Sequence, residues 1–123
     1  MASLFVFVSK DNQDYYPLGK RITVVGRDEG LPIQILDDFV SRKHLQIAYE
    51  AESENYFAND MDSKHGVFIE GHRIARKTQL QDGDVIKIGN TNLLFTLKDF
   101  PDNASALEHF KKVGERYRNT ITE

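Results

Sequence analysis

The chain has 123 residues, no cysteine, and 16 Lys and Arg against 19 Asp and Glu, for a formal net charge of −3. That length supports one domain with a core plus a short appendage, and 40% hydrophobic with 28% charged residues is a globular balance. Basic residues scattered without a cationic run argue against a nucleic-acid or membrane partner, and the lack of cysteine removes disulfides, thiolate metal sites and thiol nucleophiles and fits a cytoplasmic setting.

The first residues hold only five consecutive apolar side chains, Leu4-Phe5-Val6-Phe7-Val8, with no basic stretch ahead of them. That pattern is too short for a membrane span and lacks the charged start of a signal peptide. Short apolar or alternating runs broken by turn residues then continue to about Lys98, the signature of an all-β sandwich or barrel. They predict strands over 4–8, 15–18, 21–26, 33–36, 44–50, 55–59, 66–69, 72–74, 85–88 and 91–97. Within 44–50, Leu45, Ile47 and Tyr49 share one face, as a two-residue period requires. Glu70-Gly71, Asp82-Gly83 and Gly89-Asn90 are the tight turns.

The pattern changes after Phe100-Pro101. Asp102 or Asn103 can cap a helix, and Ser105 with Glu108 at capping-box spacing offers a competing start. Leu107, Phe110, Val113 or Gly114, Tyr117 and Ile121 then recur at three and four residues, which makes an amphipathic helix of about four turns. The expected organisation is a β-sandwich over 1–99 followed by a linker and helix over 100–123. Two roles stay open for that helix: packing on the sandwich or fraying, and leading into a partner domain or a dimer seam.

Gly26-Arg27 and Ser41-Arg42-Lys43-His44 both fall where a strand pattern breaks into a loop. A phosphorylated Ser or Thr carries about −1.5 to −2 charges and three acceptor oxygens. The planar guanidinium of Arg27 suits two of those oxygens, and the Ser41 hydroxyl can donate to a third. Hydrogen bonds to charged groups contribute roughly 1.5 to 3 kcal/mol each. Three of them supply much of the roughly 8 kcal/mol that corresponds to micromolar binding. Taken alone, Arg27 reads as a surface arginine paired with Asp28 or Glu29, and Ser41 as a cap on the turn after Asp37-Asp38; their proximity in sequence favours the shared anion.

Four segments together resemble the forkhead-associated (FHA) domain, a phosphothreonine-reading module: Val24-Val25-Gly26-Arg27, then Val40-Ser41-Arg42-Lys43-His44-Leu45, then 59–74, then 80–89. The resemblance covers residues 4–98 in the family's order. It implies a sandwich of about eleven strands with the binding loops gathered at one end, and a phosphothreonine-dependent protein–protein interaction role in kinase signalling. Residue by residue, it makes Arg27 and Ser41 phosphate ligands assisted by Arg42 and Lys64. It makes His65 a peptide contact, and Gly26, His44 and Gly66 supports of the loops. Two departures stand out, His65-Gly66-Val67 where the family has Asn-Gly-Thr and Glu70-Gly71 where it has Asn-Gly.

No enzymatic activity, cofactor or metal is expected. The four histidines have no close ligand spacing, and Gly26-Arg27-Asp28-Glu29-Gly30 lacks the Gly-Lys-Ser/Thr ending of a nucleotide-phosphate loop. Ser41 and His44 lie three residues apart on one turn, too close for a triad with an orienting acid. The expected partner is a phosphothreonine-containing protein, with an attached output domain as a second partner. The rival reading is a scaffolding or dimerisation module that docks without phosphate and regulates that output domain.

Overall fold

Two-residue alternation of buried and open side chains builds two sheets that enclose one core. The computed structural model describes residues 2–9, 12–98, 100, 105, 106, 108, 109, 111 and 112. Its strands are β1 (Ser3–Ser9), β2 (Asn12–Pro17), β3 (Ile22–Gly26), β4 (Ile33–Gln34), β5 (Leu45–Glu50), β6 (Asn55–Asp60), β7 (Val67–Ile69), β8 (His72–Ile74), β9 (Thr78–Gln79), β10 (Val85–Ile88) and β11 (Thr91–Thr96). One sheet has the order β2-β1-β11-β10-β7-β8, the other β4-β3-β5-β6-β9. The β3–β4 pair is parallel and the other ladders are antiparallel. The expected all-β, eleven-stranded sandwich is therefore the fold.

Leu45 and Ile47 on β5 face the core with Val25, Ala58, Val67, Ile86, Leu93 and Phe95, and Tyr49 packs against its rim. β1, β10 and β11 break the simple alternation because both of their faces are covered. Leu4, Val6, Ile86 and Leu93 point inward, while Phe5, Val85 and Leu94 point outward beneath Ala106, with Phe7, Tyr15 and Phe100 at the margin. This explains the apolar run through Phe7, since a strand covered on both sides has no solvent face to make polar; Val8, 68% exposed, lies past that cover. Burial of a side chain such as Phe5 stabilises by roughly 1.5 to 3 kcal/mol.

Most strand ends fall within one residue of the sequence expectation, and three differences are larger. β9 was not foreseen, since its two residues pair with Phe57 and Ala58 through sheet geometry and carry no pattern of their own. β4 stops at Gln34, and Leu36, expected inside it, is 84% exposed. β2 begins at Asn12 rather than Tyr15 because the chain returns tightly to pair with β1, Ser9 opposite Asn12. In the C-terminal segment, residues 105, 106, 108, 109, 111 and 112 are helical. Phe100 contacts Phe5 and Tyr15 edge-on, each at 5.8 Å between ring centroids, and His109 lies 5.1 Å from Phe100. The candidate caps at 102 and 103, and the apolar positions 107, 110, 113, 114, 117 and 121, lie outside the described residues. Among the described residues, no helix is long and apolar enough to cross a membrane.

Candidate phosphate-binding loops

The site is assembled at the end of β3. Gly26 closes that strand against the 41–42 backbone so tightly that a Cβ there would lie 2.1 Å from the Arg42 carbonyl oxygen. Glycine is required by space. The close approach lets Arg27 N donate to Ser41 O (3.0 Å), Asp28 N to Arg42 O (3.2 Å) and His44 N to Val25 O (3.0 Å). The β4–β5 loop is thereby stitched to the strand that carries Arg27.

Arg27 is exposed, and its Nε donates to the Val40 carbonyl at 3.0 Å. That bond fixes the guanidinium by one edge, and the two terminal nitrogens have no partner among the described residues. The ion pair with Asp28 or Glu29 does not form. Ser41 lies beside it, and its hydroxyl oxygen accepts from Lys64 N at 3.2 Å. With a lone pair so engaged, the Ser41 hydroxyl hydrogen is left to donate to an anion. Arg42, Lys43 and Lys64, on the same two loops, carry exposed cationic side chains.

His44 is fully buried and joins the two loops. Ser41 N donates to its Nδ1 at 3.0 Å, so the proton sits on Nε2, which donates to Gly66 O at 2.7 Å. Both ring nitrogens are spent on backbone, so His44 is no general base for the Ser41 hydroxyl. Gly66 has φ +88° and the Arg73 guanidinium lies over it, 2.7 Å from where a Cβ would sit. Its amide donates to Ser63 Oγ (3.0 Å), and Ser63 N donates to Asp60 Oδ1 (2.9 Å). His65 is exposed and meets Phe39 edge-on, with centroids 5.4 Å apart.

Four bracing roles escaped the sequence reading. Asp37 accepts from Phe39 N (2.9 Å), Asn90 N (2.7 Å) and Thr91 Oγ1 (2.9 Å), tying the β4–β5 loop to the β10–β11 turn. Burial pushes the Asp37 carboxyl up, but these three donors outweigh it and hold it below its ordinary value. Ser63 and Asp60 shape the β6–β7 loop; their sequence signal was only that short polar residues favour turns. Glu70 adopts φ +49°, and its Oε2 accepts from Val85 N at 2.8 Å, an interaction that offsets the strain of a left-handed non-glycine residue.

The 27–32, 35–44, 61–66 and 89–90 connections of this two-sheet sandwich are thus bonded to one another, and Arg27 and Ser41 meet through their backbones where the first two touch. The FHA domain family model matches residues 23–89, more than half of the chain, and the chain belongs to that family. It is 30% identical over 84 residues to the FHA domain-containing protein PS1 of Arabidopsis thaliana, covering 67% of this chain and 6% of that one. It is 34% identical over 82 residues to the transcriptional regulatory protein EmbR of Mycobacterium bovis, covering 67% of this chain and 21% of EmbR. The chain thus spans a small part of the curated relatives it matches. Among solved structures, EmbR of Mycobacterium tuberculosis in complex with a low-affinity phosphopeptide superposes with a TM-score of 0.72 at 30% identity, covering 83% of this chain and 26% of that one. The FHA domain of a Chlamydia trachomatis protein gives 0.72 at 25% identity, covering 80% and 98%.

Proposed function

We infer that this chain is a phosphothreonine-dependent interaction module in kinase signalling, a binder rather than an enzyme, working in the cytoplasm. The observation that carries this reading is the Arg27–Ser41 pair: adjacent loops fix a guanidinium through Nε and a hydroxyl through its oxygen, leaving terminal donors for one anion. The phosphate is held by Arg27 and Ser41 with Arg42 and Lys64 alongside, and His65 meets the peptide. Residues 1–99 form the reader and 100–123 the linker and helix that lead towards an output domain. The phosphopeptide in the EmbR complex supports the same chemistry in a relative.

Titration of the chain with an oriented phosphothreonine library tests the reading. Two charge-assisted bonds from Arg27, at roughly 1.5 to 3 kcal/mol each, make Arg27→Ala weaken binding by roughly a hundredfold or more, and Ser41→Ala by roughly tenfold. Binding falls as pH drops below the second phosphate pKa of about 6. Variants that bind as the parent does, or equal binding of the unphosphorylated peptides, overturn the assignment and leave phosphate-free docking in its place.

A further inference from the structure

The five-stranded sheet ends at β4 and the six-stranded sheet at β2, and these two edges do not close on each other. A cleft of about 340 Å³ lies between them. Its floor is Val6 and Val8 of β1 with Asp14 of β2, the register partner of Val6, and its wall is Gln34, Ile35 and Leu36 at the end of β4. Val8 and Leu36 are 68% and 84% exposed, the highest values among the described large hydrophobic residues. Open apolar surface gathered along one cleft is the usual sign of a contact surface.

β4 also keeps a free edge. It has β3 on one side only, and Ile35 N donates to Gly26 O on that side. Backbone groups alternate along a strand, so the Gln34 amide and carbonyl point away from β3, to the open edge.

We propose that this cleft docks an extended, unphosphorylated segment of a partner protein, added along β4 as a sixth strand and carrying a basic and an aliphatic side chain on its inner face. Two residues of β4 give only a short ladder, so side chains make the selection. Every second side chain of the added strand faces the floor, and an aliphatic one there covers Val6, Val8 and Leu36. Asp14 is exposed and is the only ionisable side chain among the described residues that line the cleft; no described Lys or Arg pairs with it. Charge therefore selects a base, and it disfavours a second copy of this chain, whose net charge is −3. With no cation in its lining, the cleft has no use for a phosphate.

The test is affinity selection on the full chain from unphosphorylated peptides randomised throughout, followed by amide NMR of the chain with an enriched peptide. The enriched sequences carry Lys or Arg two residues from Val, Ile or Leu. They shift the Val8, Gln34 and Leu36 amide signals and slow hydrogen exchange at the Gln34 amide. Leu36→Ser, at an exposed position, weakens an enriched peptide by about tenfold. Asp14→Lys weakens it by about threefold and turns the basic position towards Asp and Glu. No enrichment, enrichment without the basic and aliphatic pair, or signals that shift elsewhere overturn the proposal. An enriched peptide that Arg27→Ala weakens is held by the phosphate-binding loops, which also overturns it. Self-association of the chain that Leu36→Ser abolishes puts a second copy in the cleft and overturns it as well.

Discussion

Replacing Gly26 with alanine separates a glycine chosen for space from one chosen for backbone freedom. The added carbon would lie 2.1 Å from Arg42 O, 2.8 Å from Arg42 C and 2.9 Å from Ser41 O. A relaxed carbon–oxygen contact is about 3.3 Å, so the 41–42 segment must retreat by about 1 Å. All three obstacles are backbone, and no rotamer change relieves them. The retreat strains the bonds from Arg27 N, Asp28 N and His44 N across the same seam. Overpacking costs about 1–3 kcal/mol and each weakened hydrogen bond up to about 1, so the loss is about 2–4 kcal/mol. For a domain of this size that lowers Tm by roughly 10 °C or more. Thermal unfolding by circular dichroism reads the first effect, and fluorescence anisotropy with a phosphothreonine peptide reads displacement of Ser41 as at least tenfold weaker binding. Gly30→Ala is the internal control, since its new carbon meets nothing nearer than 4.0 Å and its φ is not positive. A Gly26→Ala protein that melts within about 2 °C of the parent and binds equally well would refute the seam as the organiser of the site.

Substitutions at three other residues test the braces. His44→Ala leaves Ser41 N and Gly66 O without their partner, and at roughly 1–3 kcal/mol per stranded group the protein should lose about 3 kcal/mol in urea unfolding, with peptide binding falling alongside; His44→Gln, which keeps one donor and one acceptor, should recover part of both. The Asp37 carboxyl is held low in the folded chain, so its contribution is present above the ordinary carboxylate value of 3.8 and is lost as pH falls through the folded value. Asp37→Ala should therefore unfold earlier than the parent at neutral pH, and the gap between their urea midpoints should close in acid; a gap constant with pH contradicts the linkage. Burial, and after it the charge of Glu70, raises the Asp84 carboxyl against the pull of Gln81 N. Glu70→Gln should accordingly move the Asp84 titration downward in carboxyl carbon NMR, and an unmoved titration would show that the two acids do not sense each other.

What could be read from sequence was whatever a local pattern encodes. Leu45, Ile47 and Tyr49 alternate because β5 has one buried face, and the spacing of Gly26-Arg27 from Ser41 placed both at strand ends. β9 was illegible because Thr78 and Gln79 become a strand only by lying beside Phe57 and Ala58. In the sequence Asp37 marks only a turn ahead of Ser41, yet two of its three bonds reach Asn90 and Thr91, 53 and 54 residues away. The supporting role expected of His44 follows from the resemblance, but its reach to Gly66 at the end of the β6–β7 loop is a fact of three dimensions. Phe39 carried no strand or turn signal, and its half-exposed ring beside His65 is visible only in three dimensions.

The division of labour in these loops follows from what a tight grip on a small anion requires. A long, free loop that orders only on binding spends interaction energy on its own entropy, about 1–2 kcal/mol per residue fixed. Here the ordering is done during folding: His44 joins the β4–β5 loop to Gly66, Asp37 joins it to Asn90, and Gly26 lets β3 lie against it. Two further bonds engage acceptors in the same loops, Val40 O by Arg27 Nε and Ser41 Oγ by Lys64 N, and leave the terminal Arg27 nitrogens and the Ser41 hydroxyl hydrogen as donors. A chain with net charge −3 thus gathers Arg27, Arg42, Lys43 and Lys64 on adjoining loops that also carry acids, without any run of basic residues. Its selectivity for an anion comes from where a few atoms are fixed, and composition alone, which counts charges without placing them, points the other way.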